Sequence, residues 1–146
     1  MKVLLVCTGN TCRSSMAEKI AIKILTEMGQ AHQVFISSAG TMAWPGQAAS
    51  PNAVAVMADK GIDLSDHAAT LLSPEAIEQA DIIITMTEGH KAQILSINPE
   101  AEEKVMALNV SDPFGQPKIV YEECAVEIED HLRKIFGELA SIDKVN

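Results

Sequence analysis

The sequence predicts an α/β fold: a doubly wound, four-stranded parallel sheet flanked by helices, with a phosphate-binding loop after the first strand. Three observations carry this. Short apolar, β-branched runs alternate along the chain with segments of helical periodicity. The first run, Val3-Leu4-Leu5-Val6, is apolar without alternation, as in a strand covered on both faces. It stops at a polar, turn-forming segment, Cys7-Thr8-Gly9-Asn10-Thr11-Cys12-Arg13-Ser14, that leads straight into a helix.

The elements follow in order. Ser14 to Met28 places Ala17, Ile20, Ala21, Ile24 and Met28 on one helical face, and Gly29 ends the helix. Val34 to Ser38 reads as a second strand. Pro51 to Lys60 is a helix with proline at its first position and Gly61 just past its end. Ser73 is an N-cap followed by Pro74, which opens a short helix. Asp81 to Met86 is the most β-branched run and the third strand. Glu88 to Ile97 is a helix stopped by Pro99, Lys104 to Leu108 a fourth strand, and Ile119 to Ala140 a long last helix. No linker, repeat or low-complexity stretch interrupts this order, so residues 1–146 are expected to form one domain.

Composition narrows the function. A content of 47% hydrophobic and 21% charged residues is that of a globular chain. A net charge of −9 argues against nucleic acid or an anionic membrane surface as partner. No run approaches the roughly 18 apolar residues of a membrane span. The opening apolar residues stop too soon for a secretion signal. Three cysteines make an odd count for a disulfide framework, so a reduced, cytoplasmic setting is expected. Cys7 and Cys12 have no second His/Cys cluster to complete a tetrahedral set, and neither a metal nor another cofactor is expected.

The segment from Cys7 to Ser14 concentrates the chemistry. Backbone N–H groups between Cys7 and Arg13 can curl around the oxygens of a phosphate, with the helix N-terminus adding positive potential. Arg13 supplies a planar fork for two of those oxygens. The same donors favour the thiolate of Cys7, the nucleophilic form, and Ser14 stands where its hydroxyl can donate to the sulfur. Gly9 permits close approach and positive φ, and Asn10 also tolerates left-handed geometry. Expelling a leaving group from phosphorus calls for a proton donor. Asp112, in the turn sequence Asp112-Pro113-Phe114-Gly115 after the fourth strand, is the candidate.

The stretch Cys7-Thr8-Gly9-Asn10-Thr11-Cys12-Arg13-Ser14-Ser15-Met16-Ala17-Glu18 resembles the signature of the low-molecular-weight protein tyrosine phosphatases. Ser38-Ala39-Gly40-Thr41 and Asp112-Pro113-Phe114-Gly115 match the same family in its order and spacing. Ser15 departs from it, standing where most members carry proline. The resemblance implies a cysteine-dependent protein phosphatase working through a phosphocysteine, with Cys7 as nucleophile, Arg13 as phosphate clamp and Asp112 as acid and then base. It makes Thr8, Gly9, Asn10, Thr11, Cys12 and Ser14 the loop that binds phosphate or other oxyanions and the substrate, with Phe114 as an apolar wall. Ser38 is implied as a partner of Asn10, and His67 as a neighbour of that network. It also implies redox sensitivity, through a reversible bond between Cys7 and Cys12.

Phosphorylated proteins are the expected partners and a monomer the expected state. Thr11 resembles the bacterial protein arginine phosphatase branch, where tyrosine-specific members usually carry a larger aliphatic residue. A hydroxyl there suits a polar guanidinium better than an aromatic ring. The segment Ser65 to Thr70 lacks an arginine often found in tyrosine-specific members, and the acid loop carries Phe rather than Tyr or Trp. Phosphoarginine is therefore the expected substrate, with phosphotyrosine as the alternative. An arsenate reductase would need a closely spaced cysteine pair downstream, and a non-enzymatic binding module would not need Cys7, Arg13 and Asp112 together. Trp44 is read as rimming the pocket or covering the core, His90 as a helix-start surface residue, and Cys124 as a core or helix-face thiol.

Overall fold

The computed structural model describes the backbone of residues 1–145 and the side chains through Ser141. Four parallel strands lie in the order β2-β1-β3-β4. They are β1 (Lys2–Cys7), β2 (Phe35–Gly40), β3 (Ile82–Thr85) and β4 (Val105–Ala107). The helices are α1 (Arg13–Glu27), α2 (Pro51–Asp59), α3 (Pro74–Gln79), α4 (Glu88–Ile97) and α5 (Lys118–Val145). The family of doubly wound sheets is the one the sequence predicts.

β1 organises both layers of the core. Successive side chains of a strand point to opposite faces. Val3, Leu5 and Cys7 accordingly pack with α1, α2 and α5, through Met16, Ile20, Ile24, Met57, Ile128 and Leu132. Leu4 and Val6 pack on the other face with Ile77, Ile83 and Ile94. Burying each such aliphatic side chain stabilises the fold by about 1.5–3 kcal/mol. The buried positions of α5, namely Tyr121, Cys124, Ala125, Ile128, Leu132 and Phe136, follow a helical stripe.

Most boundaries shift by one residue from expectation, and three regions shift for a visible reason or by more. β2 runs on to Gly40, because its pairing with β1 continues to the register Cys7↔Gly40. Ser37-Ser38-Ala39-Gly40 has little β-propensity of its own, so the pairing decides. A 3₁₀ turn over Pro99–Lys104, unmarked by apolar periodicity, precedes β4. α5 begins one residue earlier and ends later than Ile119 to Ala140.

The carboxyl ends of the strands carry the loops that matter. The ladder extends past the strands, as Thr41 N donates to Cys7 O and Met42 N to Thr8 O, both at 2.9 Å. On the other side, Leu108 N donates to Thr85 O and Val110 N to Met86 O. Gly40 lies under the first loop. A Cβ there would collide with the Thr8 carbonyl oxygen and lie 2.9 Å from both Asn10 N and Ala43 Cβ. Two of these neighbours are backbone and cannot swing aside. Gly40→Ala is expected to cost about 1–3 kcal/mol, measured by urea unfolding, with weakened binding of inorganic phosphate. Unchanged stability and affinity would contradict the close packing of this loop on β2.

Candidate active site

The loop from Thr8 to Cys12 leaves β1 and enters α1. Asn10 is its pivot: at φ 58° it holds the one left-handed non-glycine conformation among the described residues. Of the two loop residues whose types permit positive φ, Gly9 and Asn10, only Asn10 adopts it. Asparagine tolerates the conformation because its short side chain bonds locally. Here Nδ2 donates to Ser14 Oγ at 2.8 Å and to Ser38 Oγ at 2.9 Å, while Oδ1 accepts from Thr70 N at 2.9 Å. Ser38 passes its own proton to Glu18 Oε1 at 3.0 Å. His67 Nε2 donates to the Asn10 carbonyl at 2.6 Å, which fixes the proton on that nitrogen.

This clamp turns the loop's outer side toward the sulfur of Cys7. Asn10 N–H donates to Sγ at 3.3 Å, and Ser14 Oγ lies 2.9 Å away. Since the Ser14 oxygen already accepts from Asn10, its proton is free for the sulfur. Cys12 is the N-cap of α1 and offers no capping hydrogen bond, so the first N–H groups of the helix are left for an anion.

Arg13 is 4% exposed. It spans two loops, donating to Val110 O at 3.1 Å and lying 3.6 Å from Asp112 Oδ2. Its Nε is buried without a partner. A buried guanidinium N–H that faces no acceptor fits a site awaiting an anion. Asp112 Oδ1 accepts from Phe114 N at 3.0 Å, and Gln116 N closes a turn onto Pro113 O at 2.9 Å. Gly115, at φ 78°, supplies the positive φ that this turn requires. Asn52 of α2 donates to Gln116 O at 3.2 Å, tying down the far side of the loop.

Together these segments line a cleft of about 270 Å³ with Cys7, Thr8, Gly9, Thr11, Cys12, Arg13, Gln47, Asp112 and Phe114. Asn10 and Ser14 do not line it; they are fully buried behind the loop and act through it. Phe114 is 69% exposed at the rim. Trp44 is not on the wall and covers no core, being 78% exposed. A cleft of similar volume, about 280 Å³, lies by Lys2 and Phe35 at the opposite ends of β1 and β2. Its lining has Lys2 as its one charged side chain, with no cysteine, arginine or carboxylate.

The surroundings include residues the sequence did not single out. Cys12 Sγ lies 2.8 Å from Ser50 Oγ and 3.5 Å from Tyr121 Oη. Burial and the contact with Cys12 push Tyr121 up to about 12. Burial pushes Cys124 up to about 12 as well, so it stays an inert thiol at neutral pH. His90 corrects its expectation outright. It is 5% exposed, with Nε2 2.8 Å from Thr8 Oγ1 and Nδ1 2.9 Å from Thr87 Oγ1. Only its place at the N-terminus of α4 was visible in sequence; the contact with Thr8 crosses 82 residues. No group of three or more His, Cys, Asp or Glu among the described residues is placed to hold a metal ion.

Chemically, the cleft joins a sulfur supplied with donors, a buried cation and a half-exposed carboxylate. Comparison with known proteins gives this geometry relatives. Residues 2–145 match the family described as low molecular weight phosphotyrosine protein phosphatase. A protein-arginine-phosphatase of Bacillus subtilis (strain 168) is 36% identical over 148 residues, covering 95% of this chain and 97% of its own. One from Geobacillus stearothermophilus is 37% identical over 147 residues, covering 94% of this chain and 95% of its own. A solved YwlE arginine phosphatase mutant with a phosphorylated active-site serine superposes with a TM-score of 0.92. It is 34% identical and covers 100% of both chains.

Burial first, and then the Arg13 charge, hold the imidazole of His90 below the usual 6.5, against a smaller opposing effect of Asp112. A lowered value in the folded state makes folding favour the neutral ring. That contribution is complete above 6.5 and is lost as pH falls through the lowered value. Stability measured by urea unfolding at about pH 7.5 and about pH 5.5 should therefore fall less in His90→Gln than in wild type. An equal fall in both would show that His90 does not titrate with folding.

Proposed function

This chain belongs to the low molecular weight phosphotyrosine protein phosphatase family, and from that premise we propose how it acts: as a cysteine-dependent protein phosphatase with phosphoarginine as its preferred substrate. The observation that carries the reading is the convergence of Cys7, Arg13 and Asp112 on one cleft. The sulfur of Cys7 attacks phosphorus while Arg13 and the loop N–H groups hold the phosphoryl oxygens. The bond from phosphorus to the leaving atom breaks, and Asp112 gives that atom its proton. The carboxylate then takes a proton from water, whose oxygen displaces the sulfur and releases inorganic phosphate.

Two things support phosphoarginine. The relatives named above are arginine phosphatases. And Thr11 lies on the cleft wall, 8% exposed, with Gln47 on the same wall. A wall with a hydroxyl and an amide offers acceptors to guanidinium N–H groups that an aromatic ring would leave unused. Phosphotyrosine is the second reading, favoured by the exposed Phe114 ring at the rim. Phosphorylated proteins as partners follow from either. A cytoplasmic location agrees with three free thiols and with the lack, among the described residues, of a helix long and apolar enough to cross a membrane.

Cys7→Ser should abolish hydrolysis of para-nitrophenyl phosphate while leaving the fold intact. Asp112→Asn should slow turnover by about 10²–10⁴-fold for poor leaving groups and less for good ones. Hydrolysis by pure Cys7→Ser, or equal slowing across a leaving-group series, would overturn these roles.

Thr11→Ile should shift the ratio of kcat/KM for a phosphoarginine peptide over a phosphotyrosine peptide toward phosphotyrosine, by about tenfold. An unchanged ratio would remove Thr11 from substrate choice.

A further inference from the structure

A buried histidine often donates one ring N–H to a backbone carbonyl or a carboxylate. His90 instead places both ring nitrogens on threonine hydroxyls, at 2.8 and 2.9 Å, and one of these, Thr8, lines the cleft directly after Cys7. The directions of these bonds can be assigned by following protons. Thr87 is the N-cap of α4, and its Oγ1 already accepts the backbone N–H of His90 at 3.3 Å. Its own proton is then available to Nδ1. A neutral imidazole that accepts at Nδ1 must donate at Nε2, and the atom there is Thr8 Oγ1. The Thr8 oxygen, accepting from that ring N–H, does not spend its own proton on the histidine and can donate it into the cleft.

We infer that His90 is a positioning residue for this enzyme, one that orients the Thr8 hydroxyl as a fixed donor to an oxygen of the phosphoryl group bound above Cys7. The inference rests on the phosphatase reading of the cleft and deepens it, since it adds a side-chain donor to the backbone N–H groups. The surroundings agree. Arg13 and Asp112 are the charged groups whose fields reach the ring, and burial with Arg13 keeps it neutral. A charged ring would donate from both nitrogens and force the Thr87 hydroxyl to turn away. Further back, Thr85 Oγ1 donates to Thr87 O at 2.9 Å, so the residue at the start of the relay is itself held from β3. A donor held in place before the anion arrives costs little reorganisation when charge develops there.

The test begins with measurements that need no turnover. Nitrogen NMR of the histidine rings in wild type near neutral pH should show His90 neutral with its proton on Nε2; a proton on Nδ1 overturns the assignment. Calorimetry with inorganic phosphate should show His90→Leu and Thr8→Val each weakening binding by about threefold to tenfold. The double variant should be no weaker than the worse single one, because both remove the same hydrogen bond. His90→Gln, whose amide nitrogen reaches the same place, and Thr8→Ser should keep affinity within about twofold. With para-nitrophenyl phosphate, the loss in the first two variants should fall mainly on kcat. A purely structural histidine would lower the melting temperature of His90→Leu without touching phosphate affinity, and that outcome, or additive losses, overturns the inference. Should His90→Leu fail to fold, the contrast between Thr8→Val and Thr8→Ser decides together with the NMR spectrum. Wild type that binds phosphate but hydrolyses no phosphopeptide would defeat the phosphatase reading alone.

Discussion

One side-chain amide holds the whole site in shape. Asn10 bonds two serines with its NH₂ group and the Thr70 backbone with its oxygen, while its own carbonyl is gripped by His67. Each bond is worth about 0.5–1.5 kcal/mol net, but leaving any of these buried groups unpaired costs about 1–3 kcal/mol. The sum exceeds what a single left-handed residue costs, about 1–2 kcal/mol. The clamp therefore fixes the loop in the conformation that brings the Asn10 N–H and the Ser14 hydroxyl to the sulfur of Cys7. The same amide sets the proton order at Ser14, and through Ser14 supplies the sulfur of Cys7 with a donor. Loop shape and nucleophile chemistry thus share one cause.

A net charge of −9 is an odd setting for an anion site, and the local arrangement answers it. Arg13 is buried, and its field acts through protein rather than through screened water. The acidic side chains lie mostly at the surface, where salt shortens their reach to about 8–10 Å. Near the cleft the exception is Asp112, whose Oδ2 sits 3.6 Å from Arg13. That pairing keeps the carboxylate at the cleft beside Arg13. The net charge repels anions at long range, and on the proposed mechanism a phosphoryl group gains attraction only where the loop and Arg13 meet it together.

Sequence and structure agree wherever the information is local. The cores of the four strands, the Ser73 cap, and Gly29 and Gly61 as helix stops are marked by neighbours in the chain, whereas the end of β2 is set by its pairing with β1. The disagreements have a common origin. Gly9 and Asn10 both permit positive φ, and which one adopts it depends on Ser38 and Thr70, far along the chain. His90 looked like a surface residue because its partner, Thr8, lies across the strand ends. Ser50 and Tyr121 were invisible beside Cys12 for the same reason. Trp44 stays exposed because nothing folds over it, which no local pattern announces.

The acid loop is anchored on both flanks, by Val110 on the Met86 carbonyl and on Arg13, and by Asn52 on Gln116. Many enzymes bring their acid to the substrate on a lid and spend binding energy to order it. Here the hydrogen bonds that flank the loop hold Asp112 beside Arg13 and Cys7 within the fold itself. The side chain of Asp112 remains half exposed in that fixed position. On the proposed mechanism, water then reaches the phosphocysteine by the same open side that the leaving group takes out. Attack and hydrolysis then run through one open doorway, and the spent side chain must clear it before the second half can begin.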